Sequence, residues 1–120
     1  MQEIGLESAL VNHILSGQKT IEARLGKDRF LKIKEGDILS IREDIWVNKE
    51  IIGFNNDITK IIVEQVLYFE SFPEMLKSLD YKAAVPDAKN EKEAINKYRQ
   101  FYTLKDEEKY GVVAMMFAVL

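Results

Sequence analysis

The chain has 120 residues, a net charge of −3, 47 % hydrophobic and 31 % charged residues, the balance of one globular domain with one sizeable core. It has no cysteine and one histidine, which excludes a disulfide framework, a thiolate zinc site, a cysteine nucleophile and a histidine-based metal site. No apolar run approaches the ~20 residues that span a bilayer, and the start Met1-Gln2-Glu3-Ile4-Gly5 lacks the basic-then-apolar order of a signal peptide. A single domain over residues 1–120, cytoplasmic and off the membrane, is therefore expected, with its oligomeric state left open.

In chain order, Glu3 to Leu6 reads as a short strand. A helix follows from Glu7-Ser8, where Leu10, Val11, Ile14 and Leu15 make an apolar stripe at helical spacing. Gly17 stands where a helix takes a left-handed cap residue. The period then becomes two: Ile21, Ala23 and Leu25 form one strand face, and Thr20, Glu22 and Arg24 the other, with Lys19 just before them.

Phe30 to Ile33 and Ile38 to Ile41 read as strands around the turn Lys34-Glu35-Gly36-Asp37. Residues 44–56 suggest a hairpin or an irregular excursion, with Asn55-Asn56-Asp57 as a turn signal. Ile58 to Phe69 is rich in β-branched and aromatic residues and long enough to be a bent strand shared by two sides of a barrel. Ser71-Phe72-Pro73-Glu74 and Asn90-Glu91-Lys92-Glu93 look like capping boxes, each opening a helix. Ala83 to Lys89 reads as a loop, and the apolar run Gly111 to Leu120 as a buried closing strand. The order β-α-β-β-β-α-α-β predicts an α+β fold with a mostly antiparallel sheet and about three helices.

No phosphate loop, dinucleotide-binding glycine pattern, nucleophile elbow or H-E-x-x-H stretch is present, so no cofactor or metal is implied. His13 lies mid-helix and reads as a packing residue. From Gly17 to Lys34 there are six basic residues (Lys19, Arg24, Lys27, Arg29, Lys32, Lys34) against two acids (Glu22, Asp28), a candidate basic face on an acidic protein. Within it, Lys19-Thr20-Ile21-Glu22-Ala23-Arg24 is the one stretch that could carry chemistry. A buried Lys beside a Glu loses its proton more easily, the Glu can exchange protons, and an Arg on the same face can clamp a carboxylate, phosphate or base edge. The bland alternative is an exposed polar strand face with a cross-sheet ion pair. Arg99 and Tyr102 could stack on a base, whereas Tyr98 reads as an amphipathic core residue and Trp46 as packing.

The stretch Ile14 to Arg24 resembles the ASCH-domain signature I-x-x-G-x-K-T-x-E-x-R. Lys34 to Ile38, Val63 to Phe72, and the pair Ala94 to Tyr102 and Tyr110 to Ala114 resemble later pieces of the same family, in order. The resemblance implies a PUA-like β-barrel and a cleft in which Lys19, Glu22 and Arg24 converge. It implies binding of RNA or a nucleotide, with Lys19, Thr20, Glu22, Arg24, Arg99 and Tyr102 as ligand-binding residues. One branch is similar to an amidohydrolase of acetylated cytidine nucleosides and another member to a ribonuclease. On that reading Lys19, Glu22 and a downstream carboxylate, Asp87, would be catalytic. The threonine nucleophile of the deacetylating branch aligns with Glu22 here, which weakens that mechanism. A third reading is a regulatory or protein-interaction domain in which Lys19, Glu22 and Arg24 form a closed ion-pair network.

Overall fold

The computed structural model describes residues 2–120. The chain runs β1 (Gln2–Glu7), α1 (Ser8–Leu15), β2 (Ile21–Leu25), a 3-10 helix (Asp28–Lys32), β3 (Ile38–Val47), β4 (Glu50–Phe69), α2 (Phe72–Ser78), α3 (Tyr81–Ala84), α4 (Glu91–Arg99), α5 (Leu104–Tyr110) and β5 (Val112–Val119). The fold class is α+β, as expected. The strands form one curled sheet, a half-barrel, in the order β1-β3-β4-β5-β2. Among the described residues only β1 and β3 are parallel; the other three pairings are antiparallel. The edge strands β1 and β2 approach each other closely enough for Arg24 Nη2 to donate to Gly5 O at 3.0 Å. One side chain thus spans the seam that backbone pairing leaves open.

β5 is buried on both sides, which explains its unbroken apolar run. Val112 and Ala114 face a core shared with Ile21, Ala23 and Leu25 of β2 and with Phe72, Met75, Ala94 and Tyr98 of the helices. Met115 and Phe117 face the second core, where α1 packs Val11 and Ile14 against Ile4, Leu39, Ile41, Ile61 and Val63. β2 divides in the same way, so Glu22 and Arg24 point away from the helical core toward the seam.

The turns are local chemistry. Gly17 (φ +83°) ends α1, and Gly36 (φ +91°) makes the turn before β3. Asn48 and Lys49 (φ +51° and +67°) form a two-residue hairpin loop between the paired Val47 and Glu50, with the left-handed pair that matches strand twist. The side chains of Ser71, Asn90 and Thr103 cap α2, α4 and α5 by accepting from the N–H of Glu74, Glu93 and Asp106.

Three expectations need correction. Phe30 to Ile33 is not a strand: Asp28 (φ +52°) starts a 3-10 turn, and the guanidinium groups of Arg24 and Arg29 lie 5.2 and 4.8 Å from the centre of the Phe30 ring. Asn55-Asn56-Asp57 does not end a strand. It lies inside β4, where the left-handed Asp57 is absorbed by a register shift between Ile41 and Glu43. Among the described residues the helices number five beside the 3-10 turn, not about three, because α3 is a single turn and α5 lacks an apolar stripe. The one buried residue of α5 is Glu107. No helix among the described residues is long and apolar enough to cross a membrane.

Candidate functional site

A cleft of about 220 Å³ opens where β1, β2 and β3 meet the C-terminal half of α4 and the loop after α3. Its floor is built by β2. Period two sends Ile21 and Ala23 into the core and leaves Glu22 and Arg24 on the other side. Lys19, just before the strand, is 2 % exposed. Its ammonium donates to Ile21 O at 2.6 Å and Ala84 O at 2.5 Å and pairs with Glu22 Oε1 at 3.2 Å. Three acceptors use all three of its protons. Glu22 Oε2 meanwhile accepts from Arg24 Nε at 2.9 Å and lies 2.8 Å from Nη2.

This triad decides what the floor can do. Burial pushes the Glu22 carboxyl up, but Lys19 and Arg24 together overcome that and hold it below the usual carboxylate range. Burial also outweighs Glu22 at Lys19 and draws the lysine below its ordinary value. For Arg24, burial works against the charge, while Glu22, Tyr102 and Asp44 raise its pKa. A carboxylate clamped by two cations is a poor proton carrier. A lysine donating three hydrogen bonds offers no lone pair to act as a base. The floor is an electrostatic fixture rather than an acid–base pair.

The walls are aromatic and apolar. Leu6, Leu10, Ala84 and Val85 line the cleft, together with Trp46 on β3 and Tyr98, Phe101 and Tyr102 at the end of α4. The Tyr98 ring stacks on Phe72 with centroids 4.3 Å apart and planes at 11°; Tyr102 lies at 5.3 Å from the same ring. Tyr98 is 9 % exposed, and its hydroxyl has no hydrogen-bond partner among the described residues. Burial, reinforced by the Glu22 charge, drives its pKa well above the usual tyrosine range, so the hydroxyl stays protonated. A buried donor without a partner costs about 1–3 kcal/mol.

Of the residues expected at the site, Lys19, Glu22, Arg24, Tyr102 and Asp87 line the cleft. Thr20 does not. It is exposed, and only its backbone is engaged, donating to Ala83 O and accepting from Phe117 N. Arg99 does not either: its guanidinium makes two hydrogen bonds to Glu107 at 2.9 and 3.1 Å, and Glu107 also accepts from Phe72 N. It ties α4 to α5. Asp87 stands at the rim, half exposed, where His13 Nε2 donates to it at 2.9 Å. His13 is thus more than packing. Lys27, Arg29, Lys32 and Lys34 do not line the cleft.

Tyr98, Trp46, Phe101 and Asp44 were not expected there. A β-strand residue at the tip of a hairpin and a helix-end aromatic meet only when the sheet curls, and no local pattern announces that. Asp44 is buried and bound by Arg42 at 2.6 and 3.1 Å, across Gly5. A Cβ on Gly5 would collide with both groups of this pair. No group of three or more His, Cys, Asp or Glu among the described residues could hold a metal ion.

Solved structures similar to the chain include two of close fold. The crystal structure of the hypothetical protein PH0355 is 31 % identical with a TM-score of 0.83, the match covering 99 % of this chain and 98 % of that one. The solution structure of protein PF0455 from Pyrococcus furiosus is also 31 % identical, with a TM-score of 0.76 over 99 % of this chain and 96 % of that one. No protein-family model and no curated protein matches the chain.

Proposed function

The chain belongs to the family of PH0355 and PF0455, and on that footing we propose that it is an ASCH-type, PUA-like domain whose cleft binds a nucleobase-bearing ligand. The observation that carries this reading is the buried Tyr98 hydroxyl, unpartnered among the described residues and set in an aromatic cleft over a fixed polar floor. A flat heterocycle suits it. Trp46, Phe101 and Tyr102 offer ring faces worth about 1–3 kcal/mol per stacked base. The Tyr98 hydroxyl and Arg24 offer hydrogen bonds to the base edge. Arg24 Nη1 has no hydrogen-bond partner among the described residues, since Nε and Nη2 serve Glu22 and Gly5. A cleft of about 220 Å³ lies below the ~300–1,000 Å³ typical of drug-sized ligands and suits a single base with its sugar, not a duplex.

Trp46 is the only tryptophan and stands at the mouth, so ligand binding reads out directly in its fluorescence. Titration with nucleosides, nucleotides and short RNA should give saturable quenching by at least one of them. Arg24→Ala, checked by circular dichroism for an intact fold, should weaken it about tenfold or more. Silence across the panel would end the reading.

A hydrolase of modified nucleosides is the second reading, favoured by the desolvation of Lys19 in a largely apolar cleft. Against it stand the three hydrogen bonds to Ile21 O, Ala84 O and Glu22, which leave that nitrogen no lone pair to act as a base. Incubation with acetylated cytidine, followed by chromatography, tests it: turnover lost in Lys19→Ala would move the protein into the enzyme class. A ligand-free regulatory role is the weakest reading, because the ion-pair network is closed but a cavity stands above it.

A further inference from the structure

We propose that the distal half of the β3–β4 hairpin is a dimerisation arm, through which two copies of the chain clasp each other. This goes beyond the nucleobase reading and does not rest on it.

The sheet leaves the arm without support. β1 accompanies β3 only as far as the pair Glu7–Asp44, and β5 joins β4 only from the pair Ile61–Val119. From Ile45 to Ile58 the two strands pair, among the described residues, with each other alone. Every residue of that stretch is exposed except Gly53, which is half-buried. A two-stranded ribbon with no third strand or helix against it is marginal in water. Something that covers the arm would therefore stabilise it.

Its surface is apolar. Ile45, Trp46, Val47, Ile51, Ile52 and Phe54 all stand out, from 38 % exposed at Ile45 to 65 % at Ile52. At that exposure they present roughly 600 Å², the upper end of what a monomer leaves in one patch. Asn48, Lys49, Glu50 and Asn55 rim them, and with this rim the arm approaches the ~800 Å² per partner of a standard interface. Opposed residues of an antiparallel pair share a face. Trp46 pairs with Ile51 and Asp44 with Phe54, so Ile51 and Phe54 extend the face that Asp44 and Trp46 begin in the cleft. Ile45 and Val47 alternate to the other face. Both faces are uncovered, so an arm wrapped against a second arm buries more than a flat contact does. Register shifts near both ends of the arm bulge its edge and disfavour the addition of one more strand. The contact is therefore made by side chains.

Charge identifies the occupant as a second copy. The arm and its base carry Lys49, Glu50 and Asp57, and Asp57 is already engaged by Ser40 and Lys60. One cation against two carboxylates suits neither a nucleic acid nor an anionic membrane surface. Lys49 and Glu50 are adjacent at the tip, with no ion-pair partner among the described residues. A two-fold axis between two tips sets Lys49 against Glu50 of the partner subunit, and the reverse, so the tip is complementary to itself.

The experiment is sedimentation equilibrium of the intact chain, loaded from about 1 to about 100 μM, with Trp46 emission followed over the same range. The expected result is a mass rising toward twice the 13.9 kDa of the chain, with Trp46 emission moving to the blue as the dimer forms. The double variant Ile52→Lys, Phe54→Glu keeps the net charge and alters only exposed side chains. It should stay monomeric at the highest loading while its circular dichroism is unchanged. Lys49→Glu sets acid against acid and should weaken the dimer about tenfold at low salt, and adding Glu50→Lys should restore it. A wild-type chain monomeric throughout would overturn the proposal, as would a dimer that survives the Ile52, Phe54 double variant. A tip reversal without effect would overturn the two-fold arrangement at Lys49 and Glu50. A monomer that instead sediments with phosphatidylcholine vesicles, with the same blue shift of Trp46, would make the arm a membrane contact and overturn the dimer.

Discussion

Replacing Tyr98 by Phe should make the protein more stable and less able to bind. The ring is fixed by its stack on Phe72, at 4.3 Å and 11°, and Phe preserves that contact. What disappears is a hydroxyl that is buried without a partner among the described residues. An unsatisfied buried donor costs about 1–3 kcal/mol, so its removal should return about 1 kcal/mol, the low end allowing for local adjustment. For a chain of this length that raises Tm by about 3–5 °C. Binding should move the other way, by about tenfold, the worth of one hydrogen bond in a desolvated site. pH separates this cause from better packing. Burial holds the folded pKa of Tyr98 above the ordinary value of 10.0, so above pH 10 the unfolded chain gives up its proton first and wild-type stability falls as pH rises. The phenylalanine variant lacks that loss, and its advantage should widen above pH 10. Thermal melts by circular dichroism at pH 7 and at alkaline pH, beside Trp46 titrations, measure all three quantities. A variant less stable than wild type would show that the hydroxyl is already satisfied in the folded protein, and the argument that the cleft is prepared for a ligand would fall.

Glu22→Gln should cost about 3 kcal/mol, or roughly 10 °C in Tm, because it leaves the buried Lys19 and Arg24 without their shared counter-ion. Wild-type Glu22 stabilises above its ordinary pKa of 4.5 and loses that contribution as pH falls through the lower folded value, so the variant's acid unfolding curve should be flatter; an unchanged slope would refute the assignment. Arg99→Ala should cost about 2–3 kcal/mol by stranding Glu107, with ligand affinity unchanged; weakened binding in a folded variant would return Arg99 to the site. Gly5→Ala should cost about 1–3 kcal/mol, since the new methyl group must displace the Arg42–Asp44 pair, and a neutral result in a thermal melt would show that the pair can move aside.

Strands and capped helices were legible because their signals are local. Alternation marked β2, side-chain caps marked α2 and α4, and a run apolar on both faces marked β5. α5 escaped because its buried residue is a carboxylate, which no hydrophobic period reveals. Asn55-Asn56-Asp57 misled because turn-forming residues also make bulges, and only the partner strand decides which.

The candidate site divides in the same way. The sequence by itself determined its floor, since Lys19, Glu22 and Arg24 lie on one short stretch whose period puts Glu22 and Arg24 on one side of β2. The tertiary structure alone decided the rest. The curl of the sheet brings β1 within reach of Arg24 and puts Trp46 of the β3–β4 hairpin in one cleft with Tyr98 of α4 and Phe101 just after it, residues some fifty positions apart. The packing of α4 on α5 sends Arg99 to Glu107, and Thr20 stays outside the cleft. Side-chain alternation is a property of neighbouring residues, whereas a cleft depends on how distant edges meet, and that is set by the packing of two cores rather than by any stretch of sequence.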